Sequence, residues 1–167
     1  MKNVISSFLI GMLCTGAFVS CELSGTKLSE TKVFVGLGED LTVDTKNSEQ
    51  YKDYLLINGE VFLRLSLYSS NKISTLQKLK EDHSNDEVVD EFTHTNGSFG
   101  VIYTFSDSDN KRLDAYYKNK DGQWIEIESD LTKVNLEDKE VERAKTLVSS
   151  MKSVSKSSKS KKKKKKK

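Results

Sequence analysis

Proline occurs nowhere in the 167 residues, tryptophan once, histidine twice, and cysteine only at positions 14 and 21. Everything after Cys21 is therefore without a thiol, which excludes disulfides, a cysteine nucleophile and cysteine-ligated zinc from that stretch. The two histidines, His83 and His94, stand in no His-Glu-x-x-His frame, so zinc binding and histidine base chemistry have no motif behind them. Gly97-Ser98-Phe99-Gly100 lacks the Gly-x-Ser-x-Gly spacing of a nucleophile elbow, and Val35-Gly36-Leu37-Gly38 lacks the third glycine of a dinucleotide site. Asp107-Ser108-Asp109-Asn110 offers oxygens at alternate positions, but Lys111 and Arg112 follow where a calcium loop needs a ligand and a glycine. No cofactor or metal is expected, and no catalytic residue is assigned. The carboxylates of Asp114, Glu126 and Glu128 are the remaining candidates for acid–base work, and in the sequence they are scattered.

What is present is most distinctive at the two ends. Residues 1–20 have a basic start at Lys2, an apolar stretch from Val4 to Val19, and small residues before a cut. Its core, Phe8 to Leu13, is too short for a bilayer, which needs about 20 apolar residues. The stretch ends Phe18-Val19-Ser20-Cys21, a small residue before a cysteine with polar sequence after it. This has the form of a lipobox, in which the thiol accepts a diacylglyceryl group. Residues 1–20 are thus expected to be a lipoprotein signal peptide, with Cys21 the lipidated residue and 21–31 a short tether. Cys14 suits the role less, because Leu13 before it is too large.

The other end, residues 152–167, carries ten lysines and no acid. Such a run repels itself and buries little apolar surface, so a disordered tail is expected. Between Glu22 and Met151 there are 16 Lys and Arg against 25 Asp and Glu, a balance of −9. An acidic domain joined to a cationic tail is implied. Lys156, Lys159, Lys161, Lys162, Lys163, Lys164, Lys165, Lys166 and Lys167 are the candidate polyanion-binding residues, through Coulombic attraction to glycosaminoglycan or lipid headgroups. Nucleic acid is not an expected partner of an exported, otherwise acidic chain.

The loose lipobox, the Lys-, Ser- and Asn-rich composition without proline, and the Ser-Lys tail together resemble the borrelial (spirochaetal) plasmid-type outer-surface lipoproteins. The resemblance covers only the two ends, and it implies a lipid-anchored outer-membrane protein exposed on the cell surface.

Residues 32–151 are expected to form a single globular domain. Tyr54 to Ile57 and the alternating run Glu60 to Tyr68 flank Asn58-Gly59, the favoured turn of a two-residue hairpin. Phe99 to Phe105, Leu113 to Tyr117 and Trp124 to Ile127 alternate likewise, which predicts a three-strand meander over 98–128. A short helix is expected near 74–82. A second, capped by Asn135, carries Val141, Ala144, Leu147, Val148 and Met151 at helical spacing. The fold class is α+β: an antiparallel sheet of about five strands, packed with a C-terminal helix and a short one. The segment 85–95 is acidic and ambiguous between helix, strand and loop.

Tyr103, Tyr116, Tyr117 and Trp124 could line an aromatic patch, with Tyr116 and Trp124 the candidate partner surface because each alternates with core-facing residues. The expected function is that of a non-enzymatic, lipid-anchored surface lipoprotein that interacts with a host protein or glycosaminoglycan. The alternative is an envelope structural or assembly lipoprotein on the periplasmic side. The two differ in whether intact cells expose the domain to added protease.

Overall fold

In the computed structural model, which describes residues 25–38, 40–46, 49–105, 109–129 and 136–154, Asn58 and Gly59 take φ of +54° and +83°. These are the left-handed values a two-residue hairpin turn requires. The turn joins two strands of a seven-stranded antiparallel sheet.

In chain order the elements are β1 (Thr26–Lys27), β2 (Val33–Val35), β3 (Leu41–Val43), β4 (Lys52–Ile57), β5 (Glu60–Tyr68), α1 (Leu76–Asp82), β6 (Glu87–Thr93), β7 (Phe99–Thr104), β8 (Lys111–Lys118), β9 (Trp124–Ser129), α2 (Asp138–Ser150) and β10 (Lys152–Ser153). The large sheet has the order β3-β4-β5-β9-β8-β7-β6, and a small sheet has the order β1-β2-β10. The expected α+β class and the 98–128 meander are therefore present. The sheet, however, has seven strands rather than about five, with a second sheet of three. Of the turn expected over 107–110, residues 107 and 108 lie outside the described residues.

Alternation sorts side chains between two layers. Leu63 and Leu65 of β5, Leu113, Ala115 and Tyr117 of β8, and Ile125 and Ile127 of β9 face α2, whose Val141, Ala144, Leu147 and Val148 complete the main core. The opposite face of β7 and β8 holds a smaller cluster, Phe99, Val101, Tyr103 and Tyr116, roofed by Leu79 of α1. Gly100 of β7 stands opposite Ala115 of β8. A Cβ there would stand 2.5 Å from the Phe92 ring and 2.8 Å from the Asp114 carbonyl oxygen, closer than any side chain tolerates.

Both helices begin on short-range hydrogen bonds to side chains. The Thr75 hydroxyl accepts from the Lys78 N–H at 3.3 Å, and the Glu140 carboxylate accepts from the Glu137 N–H at 3.1 Å. Glu137 occupies the N-cap of α2 in place of the expected Asn135, which lies outside the described residues. The other end of α2 is closed by Asn96, whose amide donates to the carbonyls of Val148 (2.8 Å) and Ser149 (3.1 Å). A cap thus arrives from the β6–β7 turn beside the helix's own, in which the Met151 N–H donates to the Val148 carbonyl.

Two expectations about the ends are corrected. The 21–31 tether is structured from Gly25 onward: β1 pairs with β2, and Leu28 and Thr31 are fully buried. The reason is Asp53 of β4, itself buried. Its Oδ2 accepts from the Thr31 N–H and hydroxyl, both at 2.7 Å, and its Oδ1 accepts from the Glu30 N–H at 3.3 Å. The tail does not begin at 152 either, because Lys152 and Ser153 pair with Phe34 and Val33.

Candidate functional site

Both ends of the domain leave the small sheet. β1 and β10 flank β2 and run in the same direction, with Lys27 and Lys152 both opposite Phe34. From strand spacing, Thr26 and Ser153 lie about 12 Å apart. Ser153 is fixed further by its hydroxyl, which accepts from the Lys120 N–H at 2.8 Å and lies 3.0 Å from the Tyr117 hydroxyl. The Val154 N–H donates to the Lys32 carbonyl at 3.4 Å. Lys27, Ser29, Lys32, Lys120, Asp121 and Ser153 line a hollow of about 190 Å³ at this place. Cys21 precedes Gly25 by four residues, which bounds its reach from the domain at about 14 Å. Cys21 and Lys156 to Lys167 lie outside the described residues.

The titratable side chains converge elsewhere, under α1. His83, the C-cap of α1, places Nδ1 2.8 Å from Asp86 Oδ2 and Nε2 3.3 Å from Asp114 Oδ2. Its ring lies 4.0 Å from that of Tyr103. Asp114 and Glu128 are directly opposed on β8 and β9, as are Tyr116 and Glu126. The three carboxylates that are scattered in the sequence thus share one face. Arg64 of β5 pairs with Glu128, and the Tyr116 hydroxyl donates to Glu126 at 2.5 Å.

Burial pushes the Asp114 carboxyl up to about 6; His83 pulls it back, while the charges of Glu126 and Glu128 add to the rise. Burial alone would push the His83 imidazole down, but its hydrogen bonds to Asp114 and Asp86 outweigh this and leave it above its ordinary value. Burial also pushes the Tyr103 phenol up to about 12 and raises that of Tyr116. Such a pair resembles the tuned groups of an acid–base site. Here, however, His83 and Asp114 are both buried and bonded to each other, so what the arrangement does is clasp the end of α1 to the sheet.

The aromatic expectation is corrected in part. Tyr116 is only 3 % exposed, because α1 covers the face it was expected to present. Trp124 is partly buried against the same cluster, with the Lys118 ammonium 5.3 Å from its ring centroid. Across β5 it stands opposite Tyr68, which is 43 % exposed. Tyr68 and Tyr51, the latter 54 % exposed, line a hollow of about 410 Å³ with Leu67, Ser69 and Gln123. Alternation identified Tyr68 as lying off the core face, but nothing in the sequence marked Tyr51 as exposed.

Among the described residues no cluster of three or more His, Cys, Asp or Glu is arranged to hold a metal ion, and no helix is long and apolar enough to cross a membrane. No family model matches the chain, and neither the curated proteins nor the solved structures include one similar to it.

Proposed function

We propose that this chain is a lipid-anchored bacterial surface lipoprotein of the borrelial plasmid type, acting by interaction with a host macromolecule rather than by catalysis. In this reading the lysine tail contributes affinity for polyanions. The observation that carries it is the convergence of both ends on the small sheet. β1 and β10 flank the same strand, so the chain enters and leaves the described domain within about 12 Å, at opposite ends of two strands that run in the same direction. A binding role is supported over chemistry by the clasp under α1, which uses the acid–base pair of His83 and Asp114 to hold the fold.

The tail is tested on heparin. Because Lys152 and Ser153 belong to β10, the truncation is placed after Val154, which removes nine lysines and leaves the sheet intact. The mature chain, residues 22–167, is expected to be retained at low salt and to elute at modest salt, since exposed charges are screened over about 8 Å at physiological ionic strength. The truncated chain should elute much earlier, its remaining balance being acidic. Equal retention of the two would show that the tail is not the polyanion-binding element.

A further inference from the structure

Three of the lysines at the small sheet gather around one hollow. Lys80, Lys111, Arg143 and Lys145 are each neutralised by an acid: Glu91, Asp138, Asp40 and Asp90 respectively. Among the described residues Lys27, Lys32, Lys120 and Lys152 are exposed and form no ion pair. Lys46, Lys72, Lys78, Lys118 and Lys139 are also exposed and without an ion pair among the described residues, but they stand apart from one another, whereas Lys27, Lys32 and Lys120 line one hollow together with Asp121.

That place also carries exposed apolar surface. Cross-strand partners share a face, so Lys27, Phe34 and Lys152 form one outward row, with half-buried Phe34 between two ammonium groups. Tyr51 is tied to the same region by its N–H, which donates to Glu30 at 3.2 Å, one residue from Ser29 of the basic hollow. Tyr68 shares the neighbouring hollow with Gln123, at the end of the β8–β9 turn whose Lys120 lines the basic one. Aromatic rings beside long basic side chains suit the boundary between headgroups and acyl chains, where the ring is partly buried and the amine stays with phosphate.

We infer that this end of the domain, built from the small sheet, the β8–β9 turn and Tyr51, docks on anionic phospholipid headgroups of the membrane that holds the acyl chains. The inference rests on the Cys21 reading for its choice of partner. A reach of about 14 Å from Cys21 to Gly25 keeps this end against the bilayer surface.

The test uses the unlipidated mature chain, residues 22–167, sedimented with vesicles of phosphatidylcholine containing one third phosphatidylglycerol, and with phosphatidylcholine alone. Lys27→Gln, Lys32→Gln and Lys120→Gln are combined with the tail intact, and thermal melting checks that the fold is kept. Each basic residue near an anionic surface contributes several-fold to affinity, so the triple variant should bind the anionic vesicles on the order of a hundredfold more weakly. On anionic vesicles the amides of 26–27 and 119–122 should gain protection from hydrogen exchange while those of β6 do not. Unchanged binding by a folded triple variant would overturn the inference, as would retention on heparin with no binding to anionic vesicles. Because the chain used has no lipid, either result is separate from whether Cys21 is acylated.

Discussion

Replacing His83 by alanine is expected to lower the stability of the domain by about 3 kcal/mol at neutral pH, read from denaturant or thermal unfolding. The imidazole bridges Asp86 and Asp114, and among the described residues it is the basic side chain in contact with the Asp114 carboxylate. Removing it strands a buried carboxylate beside Glu126 and Glu128, with Asp114 Oδ1 already lacking a partner. Asp114→Asn in the same background should recover part of the loss, because the stranded charge goes with it. A double variant no more stable than His83→Ala would contradict this.

The pH dependence has a definite sign. The folded-state values of both His83 and Asp114 are raised, so each contributes stability at low pH that is lost as pH increases. For Asp114 the loss runs from about 4, its unfolded value, to about 6 in the fold. For His83 it begins near 6.5 and ends at the higher value of the folded state. Relative to Asp114→Asn, the wild type should therefore lose stability as pH rises from 4 to 6.

Asp53→Ala is the second large effect, expected to cost about 3 kcal/mol because it strands a buried N–H and hydroxyl of Thr31 and weakens the hold on Glu30. It should also free the N-terminal segment. The amides of Glu30 and Thr31 would exchange faster than those of β5, which keep their ladder partners. Unchanged exchange at Thr31 would show that β1 and Leu28 hold the segment without the carboxylate. If Cys21 is lipidated as proposed, the consequence is mechanical: with residues 25–31 released, the domain could stand some 25 Å further from the lipid.

How much of this was legible in the sequence depended on range. The 54–68 hairpin and the 98–128 meander were readable because turn residues and alternation are local signals, and both helices were readable from their apolar stripes. β2 and β3 have three residues each, too few to show a period. β6 was hidden by its bulge between Val88 and Asp90. The bulge lets Val88 join the α1 cluster and Phe92 the main core, although four-residue spacing would place them on one face. Its exposed Glu87, Asp90 and Glu91 suit an edge strand, where charge discourages pairing with another chain.

For the candidate site the limits were of the same kind. Alternation placed Tyr116 off the core face correctly, but it could not reveal that α1 supplies a second layer there. Asp53 holds residues 22 to 24 positions away, and β2 joins strands from the two ends of the domain. No local pattern encodes either contact. The sequence therefore pointed to an anchor and a basic tail but not to their convergence on one sheet, nor to the unpaired lysines around it.

The proposed role depends first on Cys21, and detergent phase partition tests it most directly. The full-length protein expressed in a bacterial host that processes lipoproteins should enter the detergent phase. Cys21→Ala should move it to the aqueous phase, because the described domain offers no helix apolar enough to hold a membrane. The charge contacts inferred for the small sheet would be screened in that assay at high salt. A Cys21→Ala protein that still entered the detergent phase at high salt would contradict the account.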